Sequence, residues 1–143
     1  MLTPAGRRLL PSLQVNWVTF HSAYDFGYLM KVLTCKALPK DESEFFDIFN
    51  VFFPKVYDMK YMCKFCNGLH GGLNKIAEIM SVARIGPMHQ AGSDSLLTLD
   101  VFMKMRDEYF SKGTGSQSIE KHCTILYGLG SGASTGSDNV FLG

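Results

Sequence analysis

No aspartate or glutamate precedes Asp25. Any chemistry that needs clustered carboxylates must take them from position 25 onward. Long apolar runs are also missing: none approaches the about 20 residues that cross a bilayer, so a soluble chain without a membrane partner is expected. An excess of one charge is absent too, since 14 Lys and Arg stand against 13 Asp and Glu for a formal charge of +1. That balance excludes the broad basic coat of a generic nucleic-acid binder and leaves such a ligand only a local site. The four cysteines come without a secretory leader, which points to reduced thiols in an intracellular compartment. A phosphate-cradling glycine loop is lacking as well. Gly71-Gly72 has no following Lys-Ser/Thr, and Gly128-Leu129-Gly130-Ser131-Gly132 precedes no helix.

What is present suffices for one packed domain: 143 residues, 46% hydrophobic and 13% aromatic. Residues 1–14 hold arginine, two prolines and no acid, and read as an irregular lead-in. Val15 to Phe20 reads as a strand with apolar residues on both faces, as in a sheet covered on both sides. A helix follows from about Ala23 to Leu33, with Tyr24, Leu29 and Val32 among its apolar residues. Asp41 to Phe53 carries Phe45, Phe46, Ile48, Phe49, Phe52 and Phe53 at helical spacing and stops at Pro54. Lys55 to Asp58 is a short strand candidate that leads into a helical stretch through Cys66. Leu73, Ile76, Ala77 and Met80 mark a compact helix beyond Gly71-Gly72, and Arg84 to Gly92 form a loop. From Ser93 a long helix runs to about Phe110, with Leu97, Val101, Phe102, Met105 and Tyr109 on its buried side. A polar linker over 111–118, a last short strand within Cys123 to Leu129 and a disordered Gly/Ser-rich tail over 130–143 complete the chain. Strands separated by helices make the class α/β, yet two or three strands are too few for a complete sheet.

Two His-to-Asp steps stand out, His21 to Asp25 and His89 to Asp94, each at the start of an expected helix. Together they can aim two carboxylates and an imidazole at one cation. Both acids also have plainer explanations. Ser22 with Asp25 fits a reciprocal helix cap, and Asp94 fits an acid favoured by the helix dipole. His89, between Gly86 and Gly92, suits proton abstraction near neutral pH if its loop brings it to the site. His21 is read first as a satisfied polar group at a strand end. Cys63-Lys64-Phe65-Cys66 is a CxxC without a clear second pair; His70, His122 and Cys123 are the conceivable companions for zinc, and its helical context argues against metal.

Trp17 to Leu29, with its His21-Ser22-Ala23-Tyr24-Asp25 core, and Ile85 to Thr98, with His89-Gln90-Ala91-Gly92-Ser93-Asp94, resemble the CCR-four-associated-factor deadenylases, the catalytic CAF-type subunits of the CCR-four-NOT complex. Leu38-Pro39, Phe52-Phe53-Pro54, Tyr57-Asp58, Gly71-Gly72-Leu73 and Leu126 to Gly130 add to a resemblance spanning roughly residues 15–132. It implies a ribonuclease-H-like fold of the DEDD exonuclease superfamily that removes AMP from messenger-RNA poly(A) tails in the 3′-to-5′ direction. By motif, Asp25 and Asp94 would be metal ligands and His89 the catalytic base, around two divalent cations, Mg²⁺ or Mn²⁺. No residue of this sequence is assigned to substrate binding. The implied partners are the poly(A) tail and the scaffold and second nuclease subunits of the complex, in cytoplasm and nucleus.

The chain departs from that family in one decisive place. The family's first motif, an Asp-x-Glu on the opening strand, has no counterpart before Asp25. The expected domain is therefore partial, residues 15–129, with the opening strands missing and hydrolysis impaired. Position 70 is His where many relatives carry a basic residue. The rival reading is a non-catalytic module that binds partners of the deadenylation complex. A third, a shortened gene product, predicts a chain that does not fold cooperatively.

Overall fold

The computed structural model describes residues 15–111 and 118–129. The expected lead-in, most of the polar linker and the Gly/Ser-rich tail lie outside these residues.

Two short parallel strands form the middle of the fold. β1 (Trp17–Thr19) pairs with β2 (Val56–Asp58) in the register Trp17–Val56, Val18–Tyr57, Thr19–Asp58, and Ile125 adds a single bridge at Tyr57. The last segment thus contributes isolated bridging at Ile125 and Leu126 where a short strand is expected.

Alternation along the strands sends side chains into two separate cores. On one face Val56 and Leu126 pack with α1 (Ala23–Thr34) and α2 (Glu42–Phe52) around Phe26, Met30, Phe45, Phe46, Phe49 and Phe53. On the other, Val18 and Tyr57 lie against α3 (Met59–Met62), α4 (Leu73–Ile79) and α5 (Ala91–Met105). This helix–sheet–helix layering accounts for the apolar residues on both faces of β1. Cover is nonetheless partial, because Trp17 remains 39% exposed and Val15 46%. Among the described residues, β1 has a neighbour on one edge only.

Local signals explain most element ends. Asp41 caps α2 by accepting the Glu44 N–H at 3.2 Å, and the helix stops before Pro54. α5 runs into a wider π turn over Arg106–Phe110, the far end of the expected long helix. In α1 the core takes Phe26, Gly27 and Met30, whereas Tyr24 and Val32 point to solvent. The reciprocal cap expected at Ser22 and Asp25 does not form. The Ser22 hydroxyl instead bonds Thr19 Oγ1 at 2.6 Å and makes no cap bond, while its carbonyl accepts the Phe26 N–H.

Candidate active site

β1 and β2 both end on the same side, where open parallel sheets present ligand sites. Beyond β1 the chain turns at His21, whose φ is 59°, and enters α1, so Asp25 lies in the first turn of a helix leaving the strand ends. The Asp25 carboxylate is exposed and makes no hydrogen bond or ion pair with a described residue.

The turn is held by a residue to which the sequence alone gave no role. Asp58, at the end of β2, is fully buried. Its Oδ1 accepts the N–H of His21 at 2.8 Å and of Lys60 at 3.1 Å. Its Oδ2 accepts those of Ser22 at 3.2 Å and Tyr127 at 3.1 Å. Four backbone donors offset the desolvation of one carboxylate and tie three stretches of chain together. His21 is thereby fixed through its backbone, not satisfied through its ring. The exposed imidazole stands edge-on to Tyr127, with centroids 4.9 Å apart.

Asp94 lies in the first turn of α5 and is partly buried. Its Oδ1 accepts from Arg84 Nη1 at 2.7 Å, and the same nitrogen donates to Ser93 Oγ at 2.8 Å. Nε and Nη2 of Arg84 both donate to Asn74 Oδ1, at 3.2 and 2.6 Å. The guanidinium therefore stitches α4, the following loop and the start of α5. Arg84 is the second residue that sequence reasoning passed over; a lone arginine opening a loop carries no pattern. His89 is exposed in that loop at φ 61°.

Among the described residues no three His, Cys, Asp or Glu side chains gather into a metal-holding group. Asp25, His89 and Asp94 therefore do not compose a two-ion centre by themselves, and Asp94 already has a cationic partner. Among the described residues the CxxC has no third His, Cys, Asp or Glu gathered with it. Burial pushes Cys63 up to about 11 and Cys66 up to about 12, which keeps both thiols protonated inside the α3–α5 core. His122 is buried among Tyr61, Phe65 and Phe110, and its Nδ1 has no hydrogen-bond partner. No described helix is long and apolar enough to cross a membrane.

A parallel strand pair between helical layers is a mixed α/β fold consistent with the ribonuclease-H-like exonuclease class. Residues 10–102 match the family model for the CAF1 family ribonuclease. The chain belongs to that family, within the DEDDh exonuclease superfamily. It is 56% identical over 116 residues to the probable CCR4-associated factor 1 homolog 7 of Arabidopsis thaliana, covering 81% of this chain and 40% of the relative. It is 44% identical over 126 residues to the poly(A) ribonuclease pop2 of Schizosaccharomyces pombe, covering 88% of this chain and 36% of the relative. The structure of S. pombe Pop2p in its Mg²⁺- and Mn²⁺-bound form aligns with a TM-score of 0.70 over 80% of this chain and 44% of that one, at 44% identity. CAF1 co-crystallized with the yeast NOT1 MIF4G domain aligns at 0.65 with 26% identity, over 79% of this chain and 46% of that one. The chain thus spans 36–46% of the length of these relatives.

Proposed function

We propose that this chain supplies part of the catalytic domain of a poly(A)-specific 3′-to-5′ exoribonuclease, which shortens messenger-RNA tails and releases AMP in cytoplasm and nucleus. The observation that carries the reading is the placement of Asp25 and Asp94 in first helical turns, within a stretch 44% identical to Mg²⁺- and Mn²⁺-bound Pop2p. Two divalent cations are the cofactor this reading requires, with Asp25 and Asp94 as this chain's ligands and His89 as the base. The described residues alone do not fit that pair, because the acids are two and one is engaged by Arg84. The remaining ligands and the strand beside β1 would come from outside the described residues or from another chain.

The incomplete acid set favours a second reading, a non-catalytic module that binds partners of the deadenylation complex, the scaffold first. Support for that partner is the likeness to CAF1 crystallized with the NOT1 MIF4G domain. A time course with 5′-labelled RNA ending in adenosines, in Mg²⁺ or Mn²⁺, separates the two. A shortening ladder lost in both Asp25→Asn and Asp94→Asn supports the nuclease. An intact tail with a folded chain that still captures a NOT1 MIF4G domain supports the module.

A further inference from the structure

A groove of about 1000 Å³ runs along α1 between the strand ends and the segment entering α2. One wall presents Tyr24 and Tyr28, 78% and 70% exposed, one helical turn apart on the same face. Lys31 continues that wall, and Lys40 with Asp41 and Glu42 lies opposite, so the middle of the groove is charge-balanced. Its inner end differs. There the Tyr127 ring has Lys64 Nζ 5.0 Å and Lys60 Nζ 5.8 Å from its centroid, and His21 edge-on at 4.9 Å. This end is cationic, and the carboxylate beneath it, Asp58, is turned inward onto four backbone N–H groups.

We propose that this groove holds single-stranded RNA, with Tyr24 and Tyr28 as stacking platforms for successive bases and Lys64 beside Tyr127 as the phosphate contact, the Lys60 ammonium being held by the Gly71 carbonyl. The inference rests on the RNA-directed reading above and assigns it a binding surface. Rings that stack bases combined with lysines that track a backbone are what a sequence-tolerant single-strand groove requires. Two tyrosines four residues apart are separated by about 6 Å along the helix axis, a step that neighbouring bases of an extended strand can match. Asp25 follows Tyr24 directly in the first turn of α1, so the ring wall begins beside the candidate site, although its carboxylate is not part of the groove lining. The molecule's near-neutral charge agrees with a local footprint in place of a basic coat.

The test is fluorescence anisotropy of the full chain with dye-labelled oligo(A) in EDTA, where no metal-dependent hydrolysis proceeds. Tyr24→Ala and Tyr28→Ala should each weaken binding about tenfold, with Tyr→Phe restoring it. Lys64→Gln should flatten the slope of log K against log salt by about 0.7. The tyrosines are exposed, so both alanine variants should unfold at the parent's temperature. Oligo(A) binding indifferent to both tyrosines overturns the proposal, as does a chain that binds no oligo(A) at low salt. A dimer broken by Tyr28→Ala with RNA binding unchanged overturns it in favour of a second copy in the groove. Tyrosine-dependent binding without tail shortening upholds the groove and sinks the hydrolytic reading alone.

Discussion

Asp58 takes up N–H groups from residues 36, 37 and 69 positions away as well as from its neighbour Lys60, and this explains both its importance and its silence in the sequence. Asp58→Asn replaces one oxygen by an amide that cannot accept, so two of the four donors lose their partner whichever way the amide turns. Urea unfolding should show a loss of about 2–3 kcal/mol. An unchanged midpoint would deny the carboxylate its organising role. His122 gives a pH-dependent counterpart. Burial, aided by the neighbouring Lys121, holds its pKa below the usual 6.5, so the folded chain disfavours the imidazolium. Above pH 6.5 the ring is neutral in both states and contributes nothing. As pH falls below that value the unfolded chain takes up a proton that the folded chain resists, and stability drops until the folded pKa is passed. His122→Phe should remove this part of the acid sensitivity between pH 7 and 5, read as a flatter profile of melting temperature. The two His-to-Asp steps were legible because helix starts are local events. Arg84 was not, since what makes it matter is the convergence of Asn74, Ser93 and Asp94 in space.

At the scale of elements, α2 was the most readable, because phenylalanines at helical spacing between Asp41 and Pro54 admit one arrangement. Its buried centre is Phe49, fully enclosed by the rings of Phe26, Phe45, Phe46 and Phe53. Phe49→Ala should cost about 3–5 kcal/mol, the range for deleting an enclosed ring. α1 was readable as a helix but not in its orientation. Its apolar residues occupy both sides, and only the position of α2 decides that Phe26 and Met30 go inward while Tyr24 and Tyr28 stay out. Gly27 tests that packing directly. A Cβ added there meets Leu38 Cδ1 at 3.6 Å, an ordinary contact, and the residue is helical. Gly27→Ala should therefore stabilise the chain by about 0.5–1 kcal/mol through the unfolded-state entropy it removes. A loss in thermal denaturation would mean that α1 lies closer to its neighbour than this distance indicates.

For the whole molecule, the consequence of two strands between two helical layers is an edge among the described residues. A parallel sheet is ordinarily buried on both faces and extended by further strands. Here β1 bonds β2 on one side, while Val15 and Trp17 keep 46% and 39% of their surface exposed. The apolar pattern of Val15 to Phe20 announced a strand with covered faces, and the two cores supply that cover. The two or three strands expected from the sequence are two strands and a bridge among the described residues, but which strand pairs with which was not legible, because pairing partners leave no mark on a single strand. Unpaired N–H and C=O groups beside exposed apolar side chains form a template for another strand. Light scattering of the purified chain should therefore show mass rising with concentration. Val15→Lys places a charge beside the edge, the device natural sheets use against such pairing, and should return the mass toward the monomer without lowering the melting temperature. Association that persists in Val15→Lys but disappears in Tyr28→Ala would move the sticky surface from the sheet edge to the outer face of α1, where the same ring is assigned to RNA.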